Sequence, residues 1–374
     1  TYIYAATNSE IVKVAISTFS RITALSLDGT YMEGMNYVNE ISGSYLYVTC
    51  TATWTDGGGW IFYHALRVVR IRLSDFSRNA TLQLTSVYLL CYDGIISGSY
   101  LYVGSNGYYN SFYKISLASF TVVNQTCIGN PESYYNYETN GFSISGDYLY
   151  SPKHWRPARV YKFSLSTFST TATLTLYTGV SADYVSAMVN DGTYLYAALD
   201  SSPAGICKIN LSDFTLLLTT KFSSGENNAH CLVMKDDILY AGLDTNPAKI
   251  VKVNATTLAE IATLDFGSGN YSITALLIVG NYLYAAVETL TIEPHSAGIF
   301  EVSLSTFNAT RVLAMYEDEE NIVDMVTDGT YLYAAIYNPG GLPSITKISL
   351  TTFQRVLTEA LLPERRCPVT LSIY

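Results

Sequence analysis

Charged residues are scarce in this chain, and basic residues are the scarcer sign. Only 14% of the 374 residues are charged, and 21 Lys and Arg face 31 Asp and Glu, which gives a net charge of −10. A protein that binds nucleic acid needs Lys and Arg clustered against the phosphate backbone. The composition therefore predicts no nucleic-acid partner.

Long apolar runs are also missing. The longest strongly apolar run is ALLIV at residues 275–279, far short of the ~20 residues that a membrane-spanning helix requires. We expect no membrane span. Apolar residues nevertheless make up 49% of the chain, enough to bury a large core and to exclude a disordered protein.

Metal and redox motifs are absent as well. The six cysteines are Cys50, Cys91, Cys127, Cys207, Cys231 and Cys367, and none forms a C-x-x-C pair. This spacing removes support for zinc, iron–sulfur and c-type haem sites, so the sequence predicts no metal and no cofactor. An even number permits three disulfides, and buried free thiols are the other interpretation.

Signatures of common enzyme classes are missing too. The chain has no G-x-S-x-G elbow, no H-E-x-x-H, no phosphate-binding Walker loop and no G-x-G-x-x-G. The adjacent-cysteine and tryptophan-docking patterns of quinoprotein propellers are absent, which argues against pyrroloquinoline quinone as a cofactor. We therefore name no catalytic residue from the sequence and expect a non-catalytic protein.

What the chain has is repetition, best seen in DGTYLYAA at residues 328–335. Asp-Gly supplies the positive φ values of a tight hairpin turn, and Tyr-Leu-Tyr is aromatic, alternating material typical of a strand. Related copies occur at residues 43–48, 98–103, 146–151, 191–198, 236–242 and 280–286, with a truncated one, TYIYAA, at residues 1–6.

A second segment follows each copy, for example KISLTTF at residues 347–353. Its alternation predicts a strand, and its Ser-Thr or Ser-Asp before Phe predicts a turn bonded by side chains. The eight copies lie at residues 12–19, 69–76, 113–120, 161–168, 207–214, 251–258, 300–307 and 346–353. A strand before each Asp-Gly turn and one after each Phe complete four strands per unit.

Eight units of about 47 residues with four strands each predict an all-β, eight-bladed β-propeller of antiparallel blades. Residues 1–374 then form a single domain. In each Tyr-Leu-Tyr, the tyrosines should face one neighbouring blade and the leucine the other. The tyrosines are thus packing residues first.

The truncated first copy predicts how the propeller closes. It lacks a preceding strand, and residues 369–373 at the other end of the chain can supply one. The last blade would be shared between residues 1–6 and the 331–374 region, so that the N-terminal strand pairs with the C-terminal strand. The pairing can close within one chain, or exchange between chains and build a filament.

The unit of an apolar strand, Asp-Gly, Leu-Tyr and K-I-x-L-x-[TD]-F resembles secreted and cell-surface β-propellers of the YVTN-repeat kind. The resemblance covers essentially the whole chain, although Tyr-Leu-Tyr-Ala-Ala stands where YVTN is usual and eight units stand where seven are usual. It implies an extracellular binding or structural module and carries over no catalytic residue.

Binding is expected in the long, variable connections between the second and third strands and between successive blades. Exposed Trp and Tyr stack on sugar rings or anchor protein interfaces, whereas loops also collect whatever strands exclude. The candidate face comprises Trp54, Trp60, His64, Tyr108, Tyr109, Tyr134, Tyr135, His154, Trp155, Arg156 and His295.

The acidic segment at residues 317–320 is read as a solvated loop or, alternatively, as Ca²⁺ ligands. The partners expected are a glycan, a cell-surface protein or further copies of this chain. The sequence thus favours a surface module for binding, adhesion or self-assembly. The alternative is a carbohydrate-active enzyme, a glycoside hydrolase or lyase, using carboxylates such as Asp183, Asp200, Asp244, Glu288 and Asp324.

Secretion is expected on two grounds. The chain begins at Thr1 inside a repeat, which fits a removed secretory signal, a choice of numbering being the other interpretation. The glycosylation candidates are the six N-x-[ST] sites at Asn79, Asn124, Asn210, Asn254, Asn270 and Asn308, somewhat more than the four or so that composition alone gives.

Overall fold

The computed structural model describes residues 1–7, 10–27, 32–34, 39–55, 61–84, 90–106, 110–128, 141–153, 157–176, 184–289, 296–316, 319–337, 342–361 and 370–374. Regular structure in these residues consists of strands. No helix long and apolar enough to cross a membrane occurs in this part of the chain.

The strands of the first half are β1 (Tyr2–Ala6), β2 (Glu10–Ala15), β3 (Ser20–Ser26), β4 (Met32–Gly34), β5 (Asn39–Ser42), β6 (Tyr45–Thr55), β7 (Ile61–Arg72), β8 (Ser77–Gln83), β9 (Leu90–Ser97), β10 (Tyr100–Asn106), β11 (Asn110–Ser116), β12 (Thr121–Ile128), β13 (Ser143–Ser145), β14 (Tyr148–Lys153), β15 (Arg159–Ser164) and β16 (Thr170–Thr175). Those of the second half are β17 (Tyr184–Asn190), β18 (Tyr194–Asp200), β19 (Gly205–Asn210), β20 (Thr215–Lys221), β21 (Ala229–Lys235), β22 (Ile238–Leu243), β23 (Lys249–Asn254), β24 (Glu260–Asp265), β25 (Asn270–Val279), β26 (Tyr282–Thr289), β27 (Ser296–Ser303), β28 (Asn308–Ala314), β29 (Asn321–Thr327), β30 (Tyr331–Tyr337), β31 (Ser344–Ser349), β32 (Gln354–Ala360) and β33 (Thr370–Ile373).

These strands form eight sheets within the described residues. Six run in simple chain order, from β9–β12 to β29–β32, and the first has the order β3-β2-β1-β33. The remaining sheet has the order β4-β6-β7-β8, with β5 also paired to β6. The predicted class, an all-β propeller of eight four-stranded antiparallel blades, is confirmed.

The chain packs as two compact units, which are described in turn. The first comprises residues 1–139, 333–348 and 356–374, and the second comprises residues 140–332 and 349–355.

In the first unit, the two ends of the chain pair as predicted. Strand β33 runs antiparallel to β1, with Ile3 opposite Ile373 and Ala6 opposite Thr370. On its other side β1 pairs with β2. Within the 331–374 region only β33 joins this sheet, since β30 to β32 belong with β29. The pairing is satisfied within a single chain.

The Tyr-Leu-Tyr segments pack in the first unit as their alternation requires. The Tyr4 ring stacks 5.8 Å from Phe76 of the following sheet, and the Tyr47 ring lies 6.0 Å from Phe120 of the sheet after that. Leu46 points the other way and joins the cluster around Tyr4. Successive strand residues face opposite sides, so each middle strand is buried on both faces.

The second unit repeats the same packing. Tyr150 lies 5.7 Å from Phe214, and Tyr240 lies 5.9 Å from Phe307. At one position leucine replaces phenylalanine, and Leu258 joins the buried cluster that contains Tyr196. The replacement keeps an apolar side chain over the tyrosine ring.

The turn between the third and fourth strands has one fixed conformation. The residue that ends it adopts a positive φ of 46° to 55° in all eight copies: Phe19, Phe76, Phe120, Phe168, Phe214, Leu258, Phe307 and Phe353. This left-handed conformation is costly for a bulky residue. The Ser164 hydroxyl accepts from the Thr167 amide, and the Phe168 amide donates to the Ser164 carbonyl. These bonds confirm the predicted side-chain-bonded turn.

Candidate functional site

A buried or half-buried Lys or Arg recurs at one position of the third strand in every sheet except β25–β28, where the residue is Glu301. In the first unit the Lys13 ammonium donates to the Leu73 carbonyl at 3.2 Å, and Lys347 donates to the Ile16 carbonyl at 3.1 Å. Each acceptor lies in the turn between the third and fourth strands of the next blade. The repeat lysine therefore joins adjacent blades and is a structural residue.

The second unit shows the same bond three times. Lys162 donates to the Leu211 carbonyl at 3.3 Å, Lys208 to the Ala255 carbonyl at 2.9 Å, and Lys252 to the Leu304 carbonyl at 3.3 Å. Arg70 serves in place of lysine in the first unit and donates to the Leu117 carbonyl at 3.2 Å.

Aromatic rings also contact this cation. The Lys162 nitrogen lies 4.0 Å from the centre of the Tyr148 ring, and Lys208 lies 4.0 Å from Tyr194. A ring face attracts a cation and helps to offset its lost hydration. Burial lowers the pKa of Lys162. The tyrosines of the repeat thus stabilise packing and are not free to bind a ligand.

The phenols of the inner tyrosines are held protonated. Burial is the main cause that raises the pKa of Tyr4, Tyr102 and Tyr150 to about 12. Burial also raises the pKa of Tyr196, and the neighbouring Asp191 carboxylate, which accepts its hydroxyl at 3.1 Å, raises it further. None of these four phenols is a proton-transfer group near neutral pH.

Within the acidic segment at residues 317–320, Glu319 departs from both interpretations. Glu319 is buried and forms an ion pair with Arg355, and its carboxylate also accepts from the Tyr316 amide at 2.7 Å. It is neither a solvated side chain nor an open oxygen ligand, because its charge is already neutralised. Residues 317 and 318 lie outside the described residues.

Glu226 occupies the same place in an earlier blade. Its carboxylate accepts from the Ser223 amide at 3.1 Å and from the Thr263 hydroxyl of the next sheet at 2.6 Å. Like Glu319, it is buried and accepts a hydrogen bond from the amide three residues earlier in the connection between two blades. Both glutamates are structural. Sequence reasoning did not single out Glu226 and misread Glu319, because the distant partners Thr263 and Arg355 cannot be seen in a local pattern.

Most of the predicted aromatic face lies outside the described residues. This holds for Trp60, Tyr108, Tyr109, Tyr134, Tyr135, His154, Trp155, Arg156 and His295. Trp54 and His64 are placed in strands β6 and β7, where Trp54 is opposite Tyr63 and His64 is opposite Thr53.

The hairpin that carries these two residues is longer than its counterparts. Strands β6 and β7 have 11 and 12 residues, whereas the second and third strands of the other sheets have five to eight. Strand β18 has seven residues, so β6 extends about four residues, roughly 13 Å, further. Strand β4 pairs with this extension, with Met32 opposite Thr53.

A second unusual feature is a pair of cations in the sheet β13–β16. Lys153 ends β14 and Arg159 begins β15, and the two are directly opposite each other. The Tyr161 hydroxyl is hydrogen-bonded to Arg159. Burial, followed by the charge of Arg159, lowers the pKa of Lys153. Sequence reasoning singled out the intervening residues 154–156 and missed this pair.

Two of the carboxylates proposed for hydrolase chemistry accept hydrogen bonds from neighbouring groups. Asp200 accepts from the Tyr184 hydroxyl, and Asp324 accepts from the Met325 amide at 2.8 Å. Neither bond joins one carboxylate to another, and Asp183 lies outside the described residues. The described side chains also include no group of three His, Cys, Asp or Glu that could hold a metal ion.

The cysteines with described side chains are thiols. Cys50 and Cys207 are buried, Cys231 is half-buried and Cys127 is exposed. A set of three disulfides that uses all six cysteines is therefore wrong. The Cys91 side chain and Cys367 lie outside the described residues.

The sequons differ in accessibility. Asn124 and Asn308 are exposed on outer strands. The Asn79 carbonyl accepts from Arg70 at 2.7 Å, the Asn210 and Asn254 carbonyls cap turns, and the Asn270 amide donates to the Phe266 carbonyl at 2.7 Å. Attachment of a glycan is sterically easiest at the first two.

Comparison with known proteins identifies the fold and no family. No family model matches the sequence, and no curated protein matches it. The resemblance to YVTN-repeat propellers thus stays a prediction.

Many solved structures share the architecture. BamB from Moraxella catarrhalis matches with a TM-score of 0.60 at 11% identity, over 89% of this chain and 92% of that one. The dihydro-heme d1 dehydrogenase NirN matches with a TM-score of 0.66 at 11% identity, over 96% of this chain and 72% of that one. A chain of the mitotic checkpoint complex matches with a TM-score of 0.55 at 14% identity, over 82% and 87%. Identities this low show the fold alone.

Proposed function

We propose that the chain is a non-catalytic binding module that acts outside the cell, with the β6–β7 hairpin as its recognition element. The observation that carries the proposal is the length of this hairpin. The repeat maintains the other middle strands at five to eight residues, so the extension adds surface that blade packing does not require.

The residues of the extension suit recognition. Trp54 and Tyr63 are opposite each other near its end, with His64 next along β7. Aromatic side chains provide large contact areas at low entropic cost and stack on sugar rings. Trp60, between the two strands in sequence, adds a further aromatic residue. A glycan on a cell surface is the ligand class that this set favours.

One structural neighbour supports the choice of a binding role: it is a chain of the mitotic checkpoint complex, so a propeller of this architecture serves within a protein complex there. In both proteins a rigid blade scaffold can present variable connections to a partner.

An array of immobilised neutral and acidic glycans tests the proposal. The purified chain should bind a subset of glycans, and Trp54→Ala should weaken that binding by about tenfold or more, since truncation of a central aromatic contact costs on the order of 2 kcal/mol. Thr53→Ser, one residue away in the same strand, is the matched control and should bind as the wild type. Equal binding by wild type and Trp54→Ala would exclude the hairpin as the recognition element.

Secretion has a separate test. Peptide mass mapping of the protein from its natural source should find glycans at the exposed Asn124 and Asn308 before the half-buried sites. Recovery of the protein in the cytosolic fraction, with all six asparagines unmodified, would contradict an extracellular location.

A further inference from the structure

The opposed cations Lys153 and Arg159 are the most unusual electrostatic feature of the described residues. Like charges directly opposite on neighbouring strands destabilise a sheet. A chain with only 21 basic residues and a net charge of −10 could readily supply a carboxylate here. Instead, neither side chain forms an ion pair with any described residue.

The corresponding strand ends of other sheets lack this arrangement. Leu199 is opposite Gly205, Leu243 is opposite Lys249, and Ser105 is opposite Ser111. The repeat therefore does not require two cations at this position. Their presence is specific to the sheet β13–β16.

The hydrogen-bonding capacity of Arg159 is also unfilled. Its Nε is buried and has no hydrogen-bond partner. A buried donor without an acceptor costs about 1–3 kcal/mol. A bound ligand that offers an acceptor to this nitrogen would remove that cost. A guanidinium can only donate, and the Tyr161 oxygen is therefore the acceptor of their bond. The Tyr161 proton can in turn be donated onward.

The three donor groups lie on one face of the sheet. Lys153 and Arg159 are cross-strand partners, and Tyr161 is two residues along β15 from Arg159, so strand alternation places all three on the same side. We propose that Lys153, Arg159 and Tyr161 form a binding site for an oxyanion: a carboxylate, sulfate or phosphate group of a ligand.

The chemistry of the site fits an oxyanion better than a halide. A guanidinium presents paired donors that match two oxygens of one anionic group, and charged hydrogen bonds of this kind are about twice as strong as neutral ones. An anion would also remove the repulsion between the two cations. The site belongs to a different sheet from the β6–β7 hairpin. The proposal of an oxyanion site therefore does not depend on the function proposed for that hairpin.

Titration of the full chain with sodium sulfate, sodium phosphate and sodium acetate tests the site, with sodium chloride at matched ionic strength as the reference. Calorimetry and thermal unfolding are the readouts. Sulfate, phosphate or acetate should bind and raise Tm above the chloride reference. Preference for acetate would assign a carboxylate, and preference for sulfate or phosphate a tetrahedral group.

Variants locate the site and guard against misfolding. Lys153→Gln and Arg159→Gln should each lower the affinity for the anion by about tenfold or more, because each variant loses one charged hydrogen bond. Lys153→Gln should also be at least as stable as the wild type without anion, since it removes the repulsion. Lys249→Gln, at the equivalent position opposite Leu243, is the control and should bind normally.

Three results would overturn the proposal. They are no difference between oxyanions and chloride for the wild type, equal weakening by Lys249→Gln, and a Lys153→Gln variant that keeps the full response to anion.

Discussion

Arg311 lies directly opposite Glu301 on the neighbouring strand and forms a two-point ion pair with it, one contact being 2.7 Å from Nε to Oε1. Glu301 stands at the position that holds a lysine in most other sheets. Arg311 also donates to the carbonyls of Leu350 and Thr351 at 3.1 and 3.0 Å. The cation between blades is thus retained, although it comes from the fourth strand rather than the third.

This exchange predicts a rescue. Arg311→Leu should destabilise the chain by about 3 kcal/mol or more, because Glu301 is left buried without a counter-charge. Adding Glu301→Lys should recover most of the loss by restoring the arrangement of the other blades. Urea unfolding of the single and double variants measures both effects. If the double variant is no more stable than Arg311→Leu, the two arrangements are not equivalent.

The same pair predicts an acid-dependent contribution. Burial raises the pKa of Glu301, but hydrogen bonds from Arg311, Thr310 and Tyr284 outweigh it and leave the pKa below the ordinary 4.5. A depressed folded-state pKa gives stability that is present above 4.5 and is lost as pH falls through the folded value. The stability difference between wild type and Glu301→Gln should therefore shrink as pH is lowered from 6 to about 3. A constant difference over that range would contradict the assignment.

Alkaline unfolding should report the inner tyrosines. Burial raises the pKa of Tyr4, Tyr102 and Tyr150 to about 12 from the ordinary 10. A folded-state pKa above the unfolded one gives stability that is complete below pH 10 and is lost as pH rises towards 12. Tyrosinate absorbance should show a late phase that Tyr150→Phe reduces. Ionisation of every tyrosine near pH 10 in the folded protein would exclude this burial effect.

Removal of residues 1–6 tests the pairing of the chain ends. Strand β1 is the partner of both β2 and β33, and Ile3 and Tyr4 are buried. Deletion should destabilise the chain by about 5 kcal/mol or more, since each buried side chain alone contributes on the order of 2–5 kcal/mol. A synthetic TYIYAA peptide should restore part of the loss. A truncated chain with wild-type stability in urea would contradict a closing role for β1.

The sequence by itself determined the repeated blade. Asp-Gly turns, Tyr-Leu-Tyr strands and the Ser-Thr-Phe turn are local signals, because each depends on backbone preferences within a few residues. Their eight copies also predicted that β1 would find its partner in residues 369–373, and the structure places that pairing where the repeat required it.

Tertiary structure decided which charged groups are neutralised. Glu319 reads as part of an acidic loop in the sequence, but its partner is Arg355, 36 residues away. Glu301 stands where the other repeats have Lys or Arg, and the sequence alone does not explain the difference. The strand register does, because it places Arg311 opposite Glu301. No sequence pattern singles out Lys153 and Arg159, and only the pairing of β14 with β15 makes them an uncompensated pair. Coulomb interactions depend on distance in space and on burial, and neither quantity is encoded in a local pattern.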